Sequence, residues 1–137
     1  MLEPCAMEIA LTRDVAEAIV REAEIAHPLE CCGILFGTGE CIDRSVAATN
    51  IHPAPATHFE IDPQPLIDAH RAARGGGDPV IGYYHSHPNG LARPSATDRA
   101  MAAGASAIWL IVAEGDISAW KDAPEGFARL SLRVIDA

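Results

Sequence analysis

Two histidines two positions apart, His85 and His87, sit in the stretch Gly82-Tyr83-Tyr84-His85-Ser86-His87-Pro88, and Ser95 and Asp98 follow a short way on. On a β-strand, residues i and i+2 share a face roughly 6.5–7 Å apart. Both imidazoles can therefore converge on one metal ion. Asp98 lies beyond a loop stiffened by Pro88 and Pro94, with enough chain to turn back as a third ligand. Two imidazoles and a carboxylate suit zinc, and three protein ligands leave a fourth position for water, the layout of a catalytic rather than a structural site. A water so placed has its pKa lowered from 15.7 toward about 7. Hydrolysis then needs a general base and a donor for the oxyanion. Ser95 carries a hydroxyl close to Asp98. Glu30, at the start of an apolar segment, is the candidate base.

Each of these residues also has a plainer role open to it. The two histidines can be a hydrogen-bonded strand pair, and Glu30 a solvated carboxylate just after Pro28. Ser95-Ala96-Thr97-Asp98 has the spacing of a capping box, in which the serine caps a helix and the acid sits at its third position. Capping and catalysis are compatible for Ser95, because a capping serine can stand beside a metal.

The elements that position this set follow from pattern. Met7 to Leu11 alternates as a first strand. Thr12 is a plausible N-cap for a helix from about Arg13 to Ala26, with Val15, Ile19 and Ala23 on one face, stopped by Pro28. Glu30 to Gly37 reads as a buried strand, and Gly37-Thr38-Gly39 as a turn into Cys41 to Ala47. Asn50 to Ala56 is a proline-rich loop, and Thr57 to Ile61 a short strand. Asp62-Pro63 marks an N-cap and first-turn proline, opening a helix to about Arg74 that Gly75-Gly76-Gly77 ends. That glycine run lacks a following Lys-Ser/Thr and is no phosphate cradle. Pro79 to His85 is the strand that leads into the histidines. A short helix from Ser95 to about Gly104 follows. Ala107 to Ala113, Ile117 to Lys121 and Ala128 to Ile135 complete the chain as strands, with a turn at Glu114-Gly115-Asp116. The expected fold class is mixed α/β (α+β), with a single mixed, largely antiparallel sheet flanked by helices. Trp109 and Trp120 are expected in the core, and His27, His52, His58 and His70 on loops or helix surfaces.

The chain has 137 residues, within the range of one domain, so 1–137 is read as a single unit. Hydrophobic residues make up 49%, and the formal net charge is −9 without a basic cluster, which argues against nucleic acid as a partner. No apolar run is long enough to span a membrane, and no signal peptide is visible. Cys5, Cys31, Cys32 and Cys41 form no C-x-x-C pair, and free thiols in a reducing cytoplasm are the simplest account. Cys31 and Cys32 alternate across a strand and are read as small core residues.

The His85-Ser86-His87-Pro88 run, the seven residues between His87 and Ser95, and the two before Asp98 resemble the signature of the JAMM (MPN-plus) zinc metalloproteases. Pro28-Leu29-Glu30-Cys31-Cys32-Gly33-Ile34-Leu35-Phe36-Gly37 resembles the glutamate strand of the same family, and the resemblance extends from about Met7 to Val112. It implies a cytidine-deaminase-like MPN domain in which His85, His87 and Asp98 hold zinc, Glu30 activates the water and Ser95 stabilises the oxyanion. The short stretch after Asp98 leaves no room for the insertion of ubiquitin-specific eukaryotic members. The compact bacterial members are the better match, and these are associated with ubiquitin-like or sulfur-carrier proteins ending in Gly-Gly. The implied activity is hydrolysis of an amide or isopeptide bond at such a tail. A non-catalytic scaffold of the same fold is the rival reading; members of that kind usually lack a ligand, and every motif position is filled here. A zinc deaminase would need His-x-Glu and Pro-Cys-x-x-Cys, which are absent.

Overall fold

The computed structural model describes residues 8–102, 104 and 106–136. Among these residues, seven strands and three helices follow in the order β1 (Glu8–Thr12), α1 (Arg13–Ala26), β2 (Cys32–Thr38), β3 (Cys41–Ala48), α2 (Pro63–Arg74), β4 (Val80–Ser86), α3 (Ala96–Met101), β5 (Ile108–Ala113), β6 (Asp116–Ala123) and β7 (Gly126–Ile135). The strands hydrogen-bond in the order β1-β3-β2-β4-β5-β6-β7, and β7 pairs with β1 to close the sheet. The β2–β3, β2–β4, β5–β6 and β6–β7 pairs are antiparallel, while β1–β3, β4–β5 and β1–β7 are parallel. The sheet is therefore mixed and largely antiparallel, as expected. Its closure was not expected: β1 has partners on both sides, which leaves the sheet without a free edge there.

Helix α1 packs one face against the curled sheet. Thr12 ends β1 and caps the helix, its hydroxyl accepting from the Val15 N–H. Val15 and Ile19 are buried with Leu11, Leu35, Ile42, Leu110 and Val112 in the main core. Strand β2 alternates around that core. Cys31 and Leu35 face α1, whereas Ile34 and Phe36 face outward, where they pack with Ala69 of α2. Tyr84 also points inward, and its hydroxyl donates to Glu22 of α1 at 2.7 Å. Glycine is needed opposite it, because a Cβ at Gly33 would lie 2.3 Å from the Tyr84 ring.

The same alternation places His85 on the outer face. There Cys32, Phe59 and Trp109 form a second apolar cluster. Cys31 and Cys32 thus face opposite ways and both are free, as is Cys41; Cys5 and the first residue of the expected opening strand, Met7, lie outside the described residues. Trp109 is buried as expected, and Trp120 is partly buried beside it.

Three expectations are corrected. Thr57 to Ile61 is not a strand; only Ile61 bridges, to Asn50. The backbone there pairs with a side chain instead, since Asn50 accepts from Glu60 N–H and donates to the His58 carbonyl. The helix after Ser95 ends at Met101 rather than near Gly104, because Ala102 turns extended with ψ 134°. Finally, Glu30 precedes its strand instead of opening it, for β2 starts at Cys32. Its N–H donates to the Pro55 carbonyl at 2.8 Å and its carbonyl accepts from Asn50 at 3.0 Å, so both groups are engaged by a loop.

Candidate metal centre

Strand β4 carries His85 in register with Cys32 on one side and Ile111 on the other. Its last residue is Ser86, and His87 continues the line, its N–H donating to the Val112 carbonyl at 2.9 Å. Both imidazoles leave the same face. Ser86 points the other way and accepts from the Cys31 N–H at 2.9 Å, which ties the residue after Glu30 to the strand between the histidines. Nothing in the spacing of the motif announced that role.

Helix α3 brings the carboxylate. Ser95 caps it, its hydroxyl accepting from the Asp98 N–H at 3.0 Å, while the Ser95 N–H donates back to Asp98 Oδ2 at 2.9 Å. The capping box is thus formed in full. It also orients the aspartate, because one of its oxygens is held by the cap while the group faces the histidines. The Ser95 hydroxyl accepts from the helix, so its own proton stays available to a substrate oxygen.

The three groups meet in the interior. His85, His87 and Asp98 are 0%, 5% and 2% exposed, and one donor atom from each lies within 4.8 Å of the others. His85 Nε2 is 2.9 Å from His87 Nε2 and 3.1 Å from Asp98 Oδ1, and His87 Nε2 is 3.0 Å from Asp98 Oδ2. A tetrahedral ion with bonds of about 2.0–2.1 Å needs donors roughly 3.3 Å apart, so the triangle is close to the size of a zinc face. His87 Nδ1 is 2.7 Å from the Leu91 carbonyl. A carbonyl only accepts, so that nitrogen carries the proton and Nε2 turns its lone pair inward. His85 is fixed by aromatic packing instead. Phe59 stacks on it at 4.2 Å, and Trp109 meets it edge-on at 5.6 Å. Its Nδ1 is buried without a hydrogen-bond partner among the described residues.

Charge follows the geometry. Burial works against the Asp98 carboxylate, but its close pairing with His85 and His87 and the hydrogen bond from the Ser95 N–H outweigh it and hold the group well below the usual carboxylate range. Burial keeps His85 below the ordinary histidine value against the pull of Asp98. For His87, burial is outweighed by Asp98, the Leu91 carbonyl and Glu30, and its value is raised. Asp98 thus stays ionised and His85 neutral, the states in which a carboxylate and an imidazole can each offer a lone pair to a divalent cation.

Glu30 and Ser95 line the same cavity of about 390 Å³ as His87, with Ala56 and Thr57 on one wall and Leu91 on another. The structure thus brings all five expected residues to one place. Those outside it are His27, His52, His58 and His70. His58 stacks on His52 at 4.6 Å and bonds Thr57. Phe59 and Ser86 were missed as supports, since an aromatic in a loop and a serine between two histidines have no distinctive spacing.

Burial is the main reason that Glu30 is pushed up to about 7; Asp98 adds to this and His87 opposes it. A raised carboxyl favours the fold while it is protonated. In the metal-free protein that support is complete below the ordinary value of 4.5 and is lost as pH climbs through about 7. Glutamine has no such loss. The stability advantage of metal-free Glu30→Gln over the metal-free parent is expected to widen by about 1–2 kcal/mol between about pH 5.5 and about pH 8.5. Urea unfolding at the two pH values measures it, and a constant gap would contradict the burial of this carboxyl.

No helix among the described residues is long and apolar enough to cross a membrane. The desampylase of Haloferax volcanii is 31% identical to the chain over 135 residues, covering 92% of the chain and 96% of that protein. The CysO-cysteine peptidase of Mycobacterium tuberculosis is 28% identical over 130 residues, covering 93% of the chain and 84% of that protein. A solution structure of a Desulfitobacterium hafniense protein superposes with a TM-score of 0.82 at 28% identity, covering 94% of each chain. Residues 12–123 match the family described as prokaryotic homologues of the JAB domain. With a match over most of its length, and with the fold and the buried His-His-Asp triangle described above, the chain belongs to the prokaryotic JAB-domain family.

Proposed function

We propose that the chain is a zinc-dependent metallopeptidase or isopeptidase that hydrolyses an amide bond at the C-terminal Gly-Gly tail of a small ubiquitin-like or sulfur-carrier protein. The observation that carries this reading is the convergence of His85, His87 and Asp98 beside a cavity lined by Glu30 and Ser95. The names of the relatives from Haloferax volcanii and Mycobacterium tuberculosis support it. The activity belongs to a single JAMM/MPN-like domain spanning 1–137, in a cytoplasmic setting that the free Cys31 and Cys32 support.

His85, His87 and Asp98 are the residues that hold the ion. When bound there, zinc supplies Lewis acidity, lowering the pKa of water toward about 7 and polarising a carbonyl. Glu30 takes the proton of the attacking water and later delivers it to the leaving amine. Glu30 lines the cavity together with His87 and Ser95, which gives its carboxyl access to both halves of that task. Ser95 donates its free hydroxyl proton to the developing oxyanion, an interaction that strengthens as negative charge grows.

A panel of conjugates tests this reading, each joining a ubiquitin-like or sulfur-carrier protein through Gly-Gly to a lysine or to a linear peptide. Cleavage after the second glycine is expected, with loss of activity on chelation and recovery on adding zinc. If no Gly-Gly junction is cut, the substrate assignment fails; if chelator-treated protein remains fully active, the metal assignment fails.

A further inference from the structure

We infer that Asn50 is a positioning residue for Glu30, acting as a clamp that holds the base where strand pairing does not. The inference rests on the reading of Glu30 as the base.

Glu30 stands two residues before β2, so the sheet ladder does not reach it. A general base must nonetheless be held within about 0.5 Å of its working position. Its backbone is pinned from two sides by the loop that follows β3. The Pro55 carbonyl receives the Glu30 N–H at 2.8 Å, and the Asn50 amide donates to the Glu30 carbonyl at 3.0 Å.

Asn50 is suited to this work by its valence. A primary amide has two N–H donors and an oxygen with two lone pairs. Both of its polar ends make two bonds here. Nδ2 donates to the carbonyls of Glu30 and His58, each at 3.0 Å. Oδ1 accepts from the N–H groups of His52 at 3.1 Å and Glu60 at 3.0 Å. The oxygen end therefore shapes the 51–60 loop, and the nitrogen end fastens that loop to Glu30. Backbone bonds from Ile51 N–H to Glu60 and from Asp62 N–H to Thr49 close the loop at its base, so the amide is mounted on a fixed frame. The same loop supplies Ala56 and Thr57 to the cavity wall, which couples the wall to the base.

Aspartate separates the two ends of the amide. It keeps the size and the two acceptor bonds of the oxygen end, but turns a second oxygen toward the Glu30 and His58 carbonyls, which repel it. Alanine removes both ends. A misplacement of about 1 Å can cost roughly 10²-fold in rate.

The test uses the zinc-loaded enzyme and a ubiquitin-like protein joined through Gly-Gly to the lysine of a fluorescent peptide. For Asn50→Asp and Asn50→Ala, kcat is expected to fall about 10- to 100-fold. KM should stay within about twofold, and zinc content should remain that of the parent. In the Glu30→Gln background, Asn50→Asp should cost less than about a further twofold, since a clamp has nothing left to position. Independent multiplication of the two losses would overturn the proposal, because it would mean that Asn50 acts elsewhere. So would parental kcat in Asn50→Asp, or loss of zinc from either variant. Where Asn50→Ala lowers the folded yield, Asn50→Asp carries the cycle. If Glu30→Gln alone keeps the parental rate, the base assignment itself falls, a result distinct from failure of the clamp.

Discussion

Glu30→Gln is expected to bind zinc like the parent and to lose about 10²–10⁴-fold in turnover, the usual contribution of a positioned proton-transfer group. The substitution is nearly isosteric and leaves the backbone bonds to Pro55 and Asn50 in place. Glu30 is also outside the His85–His87–Asp98 triangle, so the donor set is unchanged. Only the capacity to accept a proton is lost. The expected kinetic pattern is a fall in kcat with little change in KM, because a general base acts in the transition state rather than in holding the tail. Steady-state kinetics with metal analysis of the same preparation separates the effects. Parental turnover would remove Glu30 as the base, and a parallel loss of zinc would make it a ligand or a structural support instead.

His87→Ala is expected to lose both zinc and activity. In the proposed centre the imidazole is one of three protein donors, and its partner bond to the Leu91 carbonyl fixes which nitrogen faces inward. Groups that merely orient metal ligands are worth about 10–100-fold in affinity, so removal of a ligand should cost more than that. His85 and Asp98 would remain 3.1 Å apart, with one side of the triangle open. Elemental analysis after dialysis should find substoichiometric zinc, and added zinc should fail to restore the parental rate. His52→Ala is the control: that ring stacks on His58 in the loop, and its loss should leave metal content unchanged. A His87→Ala protein with a full complement of zinc would remove this residue from the ligand set.

Much of the site could be read in the sequence because its chemistry is concentrated in short spacings. His85 and His87 share a face through the period of a strand, and Ser95 and Asp98 are joined by the spacing of a capping box. The caps at Thr12 and Asp62 were equally legible, since each rests on contacts within a few residues. The misreadings fall where a distant group replaces a local one. Thr57 to Ile61 has a strand-like composition, yet the Asn50 side chain takes up backbone groups that a strand would have paired. Glu30 was placed in a strand because apolar residues follow it, although its own backbone pairs with Asn50 and Pro55, 20 and 25 residues further along the chain.

The residues alone determined which side chains can bind a cation, which faces of the strands are apolar, and where the helices begin, because each depends on residue type and near neighbours. Tertiary structure decided that the sheet closes through β1 and β7, that α1 packs one face of it into the core, and that Glu30 reaches the cavity of His87 and Ser95. The physical reason is that alternation tells which face of a strand is buried but not which strand lies beside it. That choice is settled by packing and hydrogen bonding between segments far apart in the chain.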